Sequence, residues 1–182
     1  YPNIGARTYT PPDVSFLDKF NGGDFVMIGF TWDNIAKGEY LKLIEGYLKY
    51  NEQRAQAGKG RLNFIWALGN EYNLIGKSPP ELTKDGLPLY EKWYTKANEA
   101  AREIHRIDPN HPVTIVEGAT LNSMEGVALM FKHAPEIDFF SFNVYWWTKP
   151  HKFIADYHLL LQKDTNGDNR PMFISELGTD SY

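Results

Sequence analysis

Short apolar segments alternate with longer stretches of helical periodicity along this chain of 182 residues, and the alternation limits its fold more than any other feature. Most of the apolar segments are rich in branched or aromatic side chains, which predicts buried strands. The six predicted strands cover residues 4–9, 25–30, 62–68, 113–116, 137–144 and 171–175. A short helix ending near residue 20 and four longer helices, at 38–57, 88–107, 121–133 and 151–161, lie between them. The sequence therefore predicts parallel βαβ units within one α/β domain.

Two architectures share this alternation, a doubly wound open sheet and a (β/α)8 barrel. No Gly-x-Gly-x-x-Gly loop follows the first predicted strand, which disfavours the dinucleotide-binding open sheet. Polar and aromatic side chains stand instead at the carboxyl ends of the strands, where barrels build their ligand sites. They are Arg7, Tyr9, Trp32, Asn34, Asn70, Glu71, Glu117, Asn143, Tyr145 and Glu176. A full barrel has eight strands and about 250 residues, so the sequence predicts an incomplete TIM-type barrel.

The charge and composition of the chain exclude several function classes. With a net charge of -4 and no basic run, the chain is not suited to nucleic acid as its main partner. No stretch approaches ~18 consecutive apolar residues, so no membrane-spanning helix is predicted. The chain has no cysteine, which excludes disulfides and thiolate chemistry. Aromatic residues make up 15% of the chain, and Tyr and Trp suit sugars, which present both apolar faces and hydroxyl groups.

Two glutamates, Glu71 and Glu176, stand at the ends of buried predicted strands. These strands are three steps apart, so in a barrel their ends face each other across the mouth. Glycoside hydrolysis requires such a pair, with one carboxyl protonated to assist the leaving oxygen and the other ionised to attack the anomeric carbon. Arg7 and Tyr145 are placed to keep one of the two ionised. A single glutamate at a strand end is usually a solvated rim residue, and it is the pairing that favours catalysis.

Three motifs around these residues resemble a known family: Trp66-Ala-Leu-Gly-Asn-Glu71, Asn143-Val-Tyr145 and Pro171-Met-Phe-Ile-Ser-Glu-Leu-Gly-Thr-Asp180. They are similar to the catalytic barrel of glycoside hydrolase family 2 and, more broadly, to the clan of retaining glycosidases with catalytic glutamates after barrel strands 4 and 7. Gly5-Ala-Arg-Thr-Tyr9 and Asp108-Pro-Asn-His-Pro112 resemble the family's strand-2 arginine motif and its approach to strand 5, so the similarity spans most of the chain. On this numbering the chain supplies barrel strands 2 to 7 and lacks strands 1 and 8.

The resemblance implies a role for each matched residue. Glu71 would be the general acid/base and Glu176 the nucleophile, with Arg7 and Tyr145 orienting and ionising the nucleophile. Asn70 would hydrogen-bond the sugar 2-hydroxyl. The implied reaction is retaining hydrolysis of a β-linked oligosaccharide or polysaccharide through a covalent glycosyl-enzyme intermediate, with no metal or organic cofactor.

Three alternatives stay open at this point. The same site is compatible with transglycosylation and with an endo-glycanase of the family-5 type, and the missing strands favour a barrel that binds carbohydrate without turnover. We expect residues 1–182 to form a single catalytic barrel domain of a longer chain, whose further domains are candidate partners. A polysaccharide substrate favours a secreted or periplasmic protein.

Further residues at strand ends are expected to contact the sugar, namely Asn143, Trp32, Trp146 and Trp147. Trp66 precedes the rim, and the sequence predicts that it contributes to the packing of the barrel. Glu117 follows the fourth predicted strand. The sequence leaves open whether its carboxylate lines the cleft or is an ordinary hydrogen-bonded rim group.

Overall fold

The computed structural model of the protein describes residues 5–119, 123–145, 150–163 and 170–178. Six strands form one parallel sheet in chain order: β1 (Gly5–Arg7), β2 (Phe25–Phe30), β3 (Asn63–Leu68), β4 (Val113–Gly118), β5 (Phe139–Tyr145) and β6 (Met172–Gly178). A strand order that never reverses belongs to a barrel rather than to a doubly wound sheet. The sheet curls, so the six strands make the incomplete (β/α)8-type barrel that the sequence predicts.

Helices pack against one face of this sheet: α1 (Trp32–Ala36), α2 (Glu39–Gln56), α3 (Tyr90–Ile107), α4 (Ser123–His133) and α5 (Pro150–Lys163). Two short 3-10 helices, Val14–Lys19 and Pro80–Leu82, lie in the connections, together with a small antiparallel hairpin that pairs Thr83–Lys84 with Leu87–Pro88. None of the helices in the described part of the chain combines the length and the apolar composition of a membrane span.

All six predicted strands and the four long predicted helices are present, with shifted ends. Two strands are longer than predicted, so that Glu117 lies within β4 and Glu176 lies within β6. α3 begins at Tyr90 instead of residue 88, because Pro88 pairs with Thr83 in the hairpin. The sequence does not predict α1 or the hairpin, because such short segments carry too little periodicity.

The main core lies between the sheet and the helices. Trp66 of β3 is fully buried there, as the sequence predicts. Its ring stacks on Phe64, with centroids 4.9 Å apart, and on Tyr47 of α2, with centroids 6.2 Å apart. Burial of such large side chains on this face stabilises the fold and holds the strand ends at a common edge.

A smaller apolar cluster occupies the other, concave face of the sheet, where Met27, Ala67 and Val116 pack against Ile65. Residues of the two outer strands, β1 and β6, line a cavity on this face. The side chain of Phe173 on β6 borders this cavity, which has a volume of about 350 Å³, and is 46% exposed. Arg7 and Ser175, two polar residues of the site, line the same cavity.

Candidate active site

An irregularity in β6 shapes the site. Phe142 of β5 pairs with Ile174 of β6, but the next residue, Asn143, pairs with Glu176, so Ser175 is an extra residue in a β-bulge. Bulges redirect side chains next to active sites. Here Ser175 donates a hydrogen bond to the side-chain oxygen of Asn143 at 2.8 Å, while the adjacent Glu176 points into the same polar cluster.

Three donors surround the carboxylate of Glu176. Arg7 Nη1 lies 2.5 Å from Oε1, the hydroxyl of Tyr9 lies 2.8 Å from the same oxygen, and the hydroxyl of Tyr145 donates to Oε2. Burial of Glu176 disfavours the charged form, but the hydrogen bonds from the two tyrosines and the charge of Arg7 outweigh it and lower the pKa of Glu176. Glu176 is therefore ionised at neutral pH.

Tyr145 is held as a hydrogen-bond donor. Its hydrogen bond to Glu176, together with burial, raises the pKa of Tyr145 to about 12. The same hydrogen-bonding effect raises the pKa of Tyr9, whose side chain is 56% exposed. Both phenols therefore keep their protons at neutral pH.

The backbone that carries Glu71 takes an unusual path at the end of β3. Gly69 has φ 67°, and an added Cβ would lie 2.7 Å from the ring of Trp93, so only glycine fits there. Glu71 also has a positive φ, 61°, which is strained for a residue with a side chain. Its amide donates to the carbonyl of Val116 at 2.9 Å, and its carbonyl accepts from the amide of Leu74 at 3.0 Å.

Asn70, Asn143 and Arg7 connect the two glutamates. Asn143 Nδ2 donates to Glu71 Oε1 at 3.1 Å, and its side-chain oxygen accepts from Arg7 Nη1 at 3.0 Å. The other terminal nitrogen of Arg7 donates to the side-chain oxygen of Asn70 at 2.5 Å. On the outer side, the ammonium of Lys77 lies 3.8 Å from Glu71 Oε2. The structure thus brings Glu71 and Glu176 into one hydrogen-bonded network at the carboxyl edge of the sheet.

The structure gathers six of the sequence-predicted site residues and separates another. The gathered residues are Arg7, Asn70, Glu71, Asn143, Tyr145 and Glu176. Trp32 lies elsewhere: its ring packs edge-on against Trp93, with centroids 6.3 Å apart, and it borders a separate groove of about 630 Å³ along α3. Trp146 and Trp147 lie outside the described residues.

Sequence reasoning placed Tyr9 at a strand end without assigning it a contact with Glu176, and it assigned no site contact to Ser175 or Lys77. Tyr9 was recognisable, because it stands two residues after Arg7 and an extended chain turns such residues to the same side. Ser175 and Lys77 carried no such signal, since the first reaches the site through the bulge and the second through the loop after Glu71.

The question left open for Glu117 is answered by its burial. It is 1% exposed and accepts hydrogen bonds from the indole nitrogen of Trp93 and from the backbone amide of Asn73, so it does not line the cleft. Within the described residues, no group of three or more histidine or acidic side chains is arranged to hold a metal ion.

The fold is an incomplete parallel barrel, and the polar network that contains the two glutamates lies at its carboxyl edge. Barrel proteins carry their ligand sites at that edge.

Comparison with protein-family models found no match, and comparison with curated proteins found none. Solved structures do match. Two are α-L-arabinofuranosidases from Thermotoga petrophila RKU-1, of family 51, and from Thermotoga maritima, in complex with arabinose; each has a TM-score of 0.56 and 13% identity, over 91% of this chain and 36% of the other.

A third similar structure is a family 51 α-L-arabinofuranosidase from Bifidobacterium longum, with a TM-score of 0.58 and 14% identity over 92% of this chain and 38% of the other. The chain therefore spans little more than a third of the length of these structures. At this identity the likeness shows the fold alone, a TIM-type barrel, which is the fold implied by the glycosidase clan that the motifs resemble. It does not single out family 2 within that clan.

Proposed function

We propose that this chain carries the catalytic site of a retaining glycosidase. The observation that carries the proposal is the environment of Glu176, where Arg7 and two tyrosines hold a half-buried carboxylate in its charged form. A carboxylate kept ionised in this way is suited to attack an anomeric carbon. The fold supports the proposal, because the similar solved structures are glycosidases.

The reaction proceeds in two displacements. In the first, Glu176 attacks the anomeric carbon while Glu71 passes its proton to the departing glycosidic oxygen, so that the aglycon leaves as an alcohol and an ester bond joins the sugar to Glu176. In the second, Glu71 takes a proton from water as the water oxygen attacks the same carbon and the ester bond breaks. Two inversions give net retention. Attack by a sugar hydroxyl instead of water gives transglycosylation.

The contacts of Arg7 support these roles. Its charge is shared between the carboxylate of Glu176 and the side-chain oxygen of Asn70, so one guanidinium stabilises the nucleophile and orients the amide. With its oxygen occupied, Asn70 has its NH2 group to donate to the sugar 2-hydroxyl. Such a contact stabilises the transition state by strengthening as positive charge develops on the ring.

For the substrate we propose a β-linked carbohydrate, on the strength of the family 2 motifs around Glu71 and Glu176. The competing class is the α-L-arabinofuranosides, because the similar solved structures act on them. Both classes therefore belong in the substrate panel.

The test uses the full-length protein that contains this chain. Aryl glycosides of several β-linked sugars and of α-L-arabinofuranose are assayed, and the anomeric configuration of the first-formed product is followed by NMR. We expect retention, and we expect a fluorinated, slowly hydrolysed glycoside to label the peptide that contains Glu176. For a Glu176→Gln variant, the matched control is Glu45→Gln, because Glu45 is exposed on α2.

Three results would contradict the proposal in different ways. An inverted product would exclude the double displacement, and a label on another peptide would exclude Glu176 as the nucleophile. Oligosaccharide binding without release of sugar would favour a carbohydrate-binding barrel.

A further inference from the structure

A third carboxylate, that of Glu117, lies behind Glu71 and has no role in the two displacements. It is the fifth residue of β4 and is 1% exposed. Buried carboxylates are costly unless their oxygens are hydrogen-bonded, so a specific arrangement of donors must hold this one.

Each oxygen of Glu117 accepts from a different donor. The indole nitrogen of Trp93, on α3, lies 2.8 Å from Oε1, and the backbone amide of Asn73 lies 3.2 Å from Oε2. The side chain of Asn73 then bonds Gly118 twice, donating to its carbonyl at 2.7 Å and accepting from its amide at 2.9 Å. Three hydrogen bonds thus fasten the turn after Glu71 to the end of β4.

This fastening matters because Glu71 adopts the strained left-handed conformation, which persists only where the surroundings enforce it. The turn also packs directly onto the strand: a Cβ added to Gly118 would lie 2.6 Å from Leu74. Loss of any of these contacts releases the backbone two residues from the carboxyl group that must reach the glycosidic oxygen.

We propose that Glu117 is a positioning residue, which acts through Asn73 to hold Glu71 in the orientation needed for proton transfer. The proposal rests on the acid/base role proposed for Glu71. Burial raises the pKa of Glu117 to about 8, against the opposing hydrogen bonds from Trp93 and Asn73, and the charge of Glu71 adds to the increase. Burial therefore makes Glu117 hold its proton more tightly than an exposed glutamate does, which reduces the negative charge behind Glu71.

The leaving group distinguishes this role from a general contribution to stability. A phenyl glycoside needs protonation of its leaving oxygen, whereas a dinitrophenyl glycoside departs without it. In the full-length protein we expect Glu117→Gln, whose amide accepts from only one of the two donors, to lower kcat/KM for the phenyl glycoside by about 10- to 100-fold. For the dinitrophenyl glycoside we expect a change below about threefold.

Two further variants make the test decisive. Asn73→Ala leaves Glu117 intact but removes both side-chain bonds to Gly118, so we expect the same selective loss at smaller amplitude. Asp108→Asn is the matched control, because Asp108 is a buried carboxylate that also accepts from an indole, Trp66, but makes no contact with this turn. We expect Asp108→Asn to affect both substrates equally.

A readout independent of activity separates this proposal from the proposed function. Hydrogen exchange of the Asn73 amide should accelerate in Glu117→Gln and stay unchanged in Asp108→Asn. Unchanged exchange, or equal losses on both substrates, would overturn the positioning role. If the wild-type protein cleaves no glycoside, the acid/base role and the positioning of an acid both fail, while accelerated exchange would still show that Glu117 holds the turn.

Discussion

Two buried pairs of an indole and a carboxylate lie at different levels of the sheet. Near the amino ends of the strands, Trp66 donates to Asp108 at 2.7 Å, and at the carboxyl ends Trp93 donates to Glu117 at 2.8 Å. The two carboxylates are 2% and 1% exposed. Each also accepts from the backbone amide of a turn, Asp108 from Asn110 and Glu117 from Asn73, both at 3.2 Å. Asp108 differs in that it also contacts the ring nitrogen of His111 at 2.9 Å.

The difference in partners gives the two carboxylates opposite electrostatic behaviour. Burial disfavours the charge on Asp108, but hydrogen bonds from His111 and Trp66 outweigh it and lower the pKa of Asp108. Burial dominates at Glu117 and raises its pKa to about 8. The same pairing of an indole with a buried carboxylate therefore stabilises the fold at the amino ends of the strands. At the carboxyl ends, by our proposal, it supports the turn after Glu71. Barrels usually divide stability and catalysis between these two faces in this way.

The largest effect that we expect is a difference in activity between a variant at the carboxyl ends of the strands and a variant at the amino ends. Glu176→Gln removes the proposed nucleophile and the charge that Arg7 pairs with, so kcat should fall by on the order of 10⁴-fold or more in the full-length protein. Asp108→Asn should change kcat by less than about threefold, because no step of the proposed reaction involves Asp108. Steady-state kinetics on an aryl glycoside measures both. Comparable losses in the two variants would remove the functional distinction between the ends.

The next effect concerns stability. Asp108→Ala leaves the buried indole of Trp66 and the ring of His111 without their acceptor, and we expect the free energy of unfolding to fall by about 3 kcal/mol. Chemical denaturation of wild type and variant measures the difference. Glu52→Ala, which breaks an exposed ion pair with Arg61, is the control and should change little. An equally small change for Asp108→Ala would mean that the buried pair is not a stabilising feature.

A further effect is the dependence of stability on pH, which should have opposite signs at the two ends. The lowered pKa of Asp108 gives stability above its unfolded pKa of about 3.9, and this stability is lost as the pH falls further. The raised pKa of Glu117 gives stability that is complete below about pH 4 and is lost as the pH rises through about 8.

Denaturation curves collected across this range test both signs. Glu117→Gln should flatten the decline in stability between about pH 5 and 8, and Asp108→Asn should flatten the decline below about pH 4. If both variants altered stability in the same pH range, the opposite pKa shifts assigned to Asp108 and Glu117 would be wrong.

The smallest effect that we expect concerns the two tyrosines that donate hydrogen bonds to Glu176 at the carboxyl ends of the strands. Tyr9→Phe removes one of the donors to Glu176, but the side chain is 56% exposed, so water replaces the hydroxyl and kcat/KM should fall by only about threefold. Tyr145→Phe removes the donor to the other oxygen from a less exposed position, and we expect a loss of about tenfold or more. A larger loss for Tyr9→Phe would mean that Tyr9 also contacts the substrate.

Much of the fold was predictable because its signals are local. Apolar runs such as that of β2 and the periodicity of α2 and α3 are visible within short windows of sequence. Parallel alternation then places strand ends at one edge, which is why Arg7, Tyr145 and Glu176 could be expected to meet.

Other features depend on contacts between residues far apart in the chain. The bulge at Ser175 arises from the register of β6 against β5, and the burial of Glu117 arises from the packing of α3 and the turn after Glu71 against the end of β4. The position of Trp32 depends on such contacts as well, because its ring packs on Trp93 of α3. Its contact with a sugar stays a prediction.

From the order of residues alone came the barrel class and the two glutamates at strand ends, because hydrophobic periodicity and strand termination are properties of a few neighbouring residues. The conformation of Glu71 and the partners of Glu117 came only from the folded chain. Strand register and helix packing decide them, and both are set by long-range contacts that no short stretch of sequence encodes.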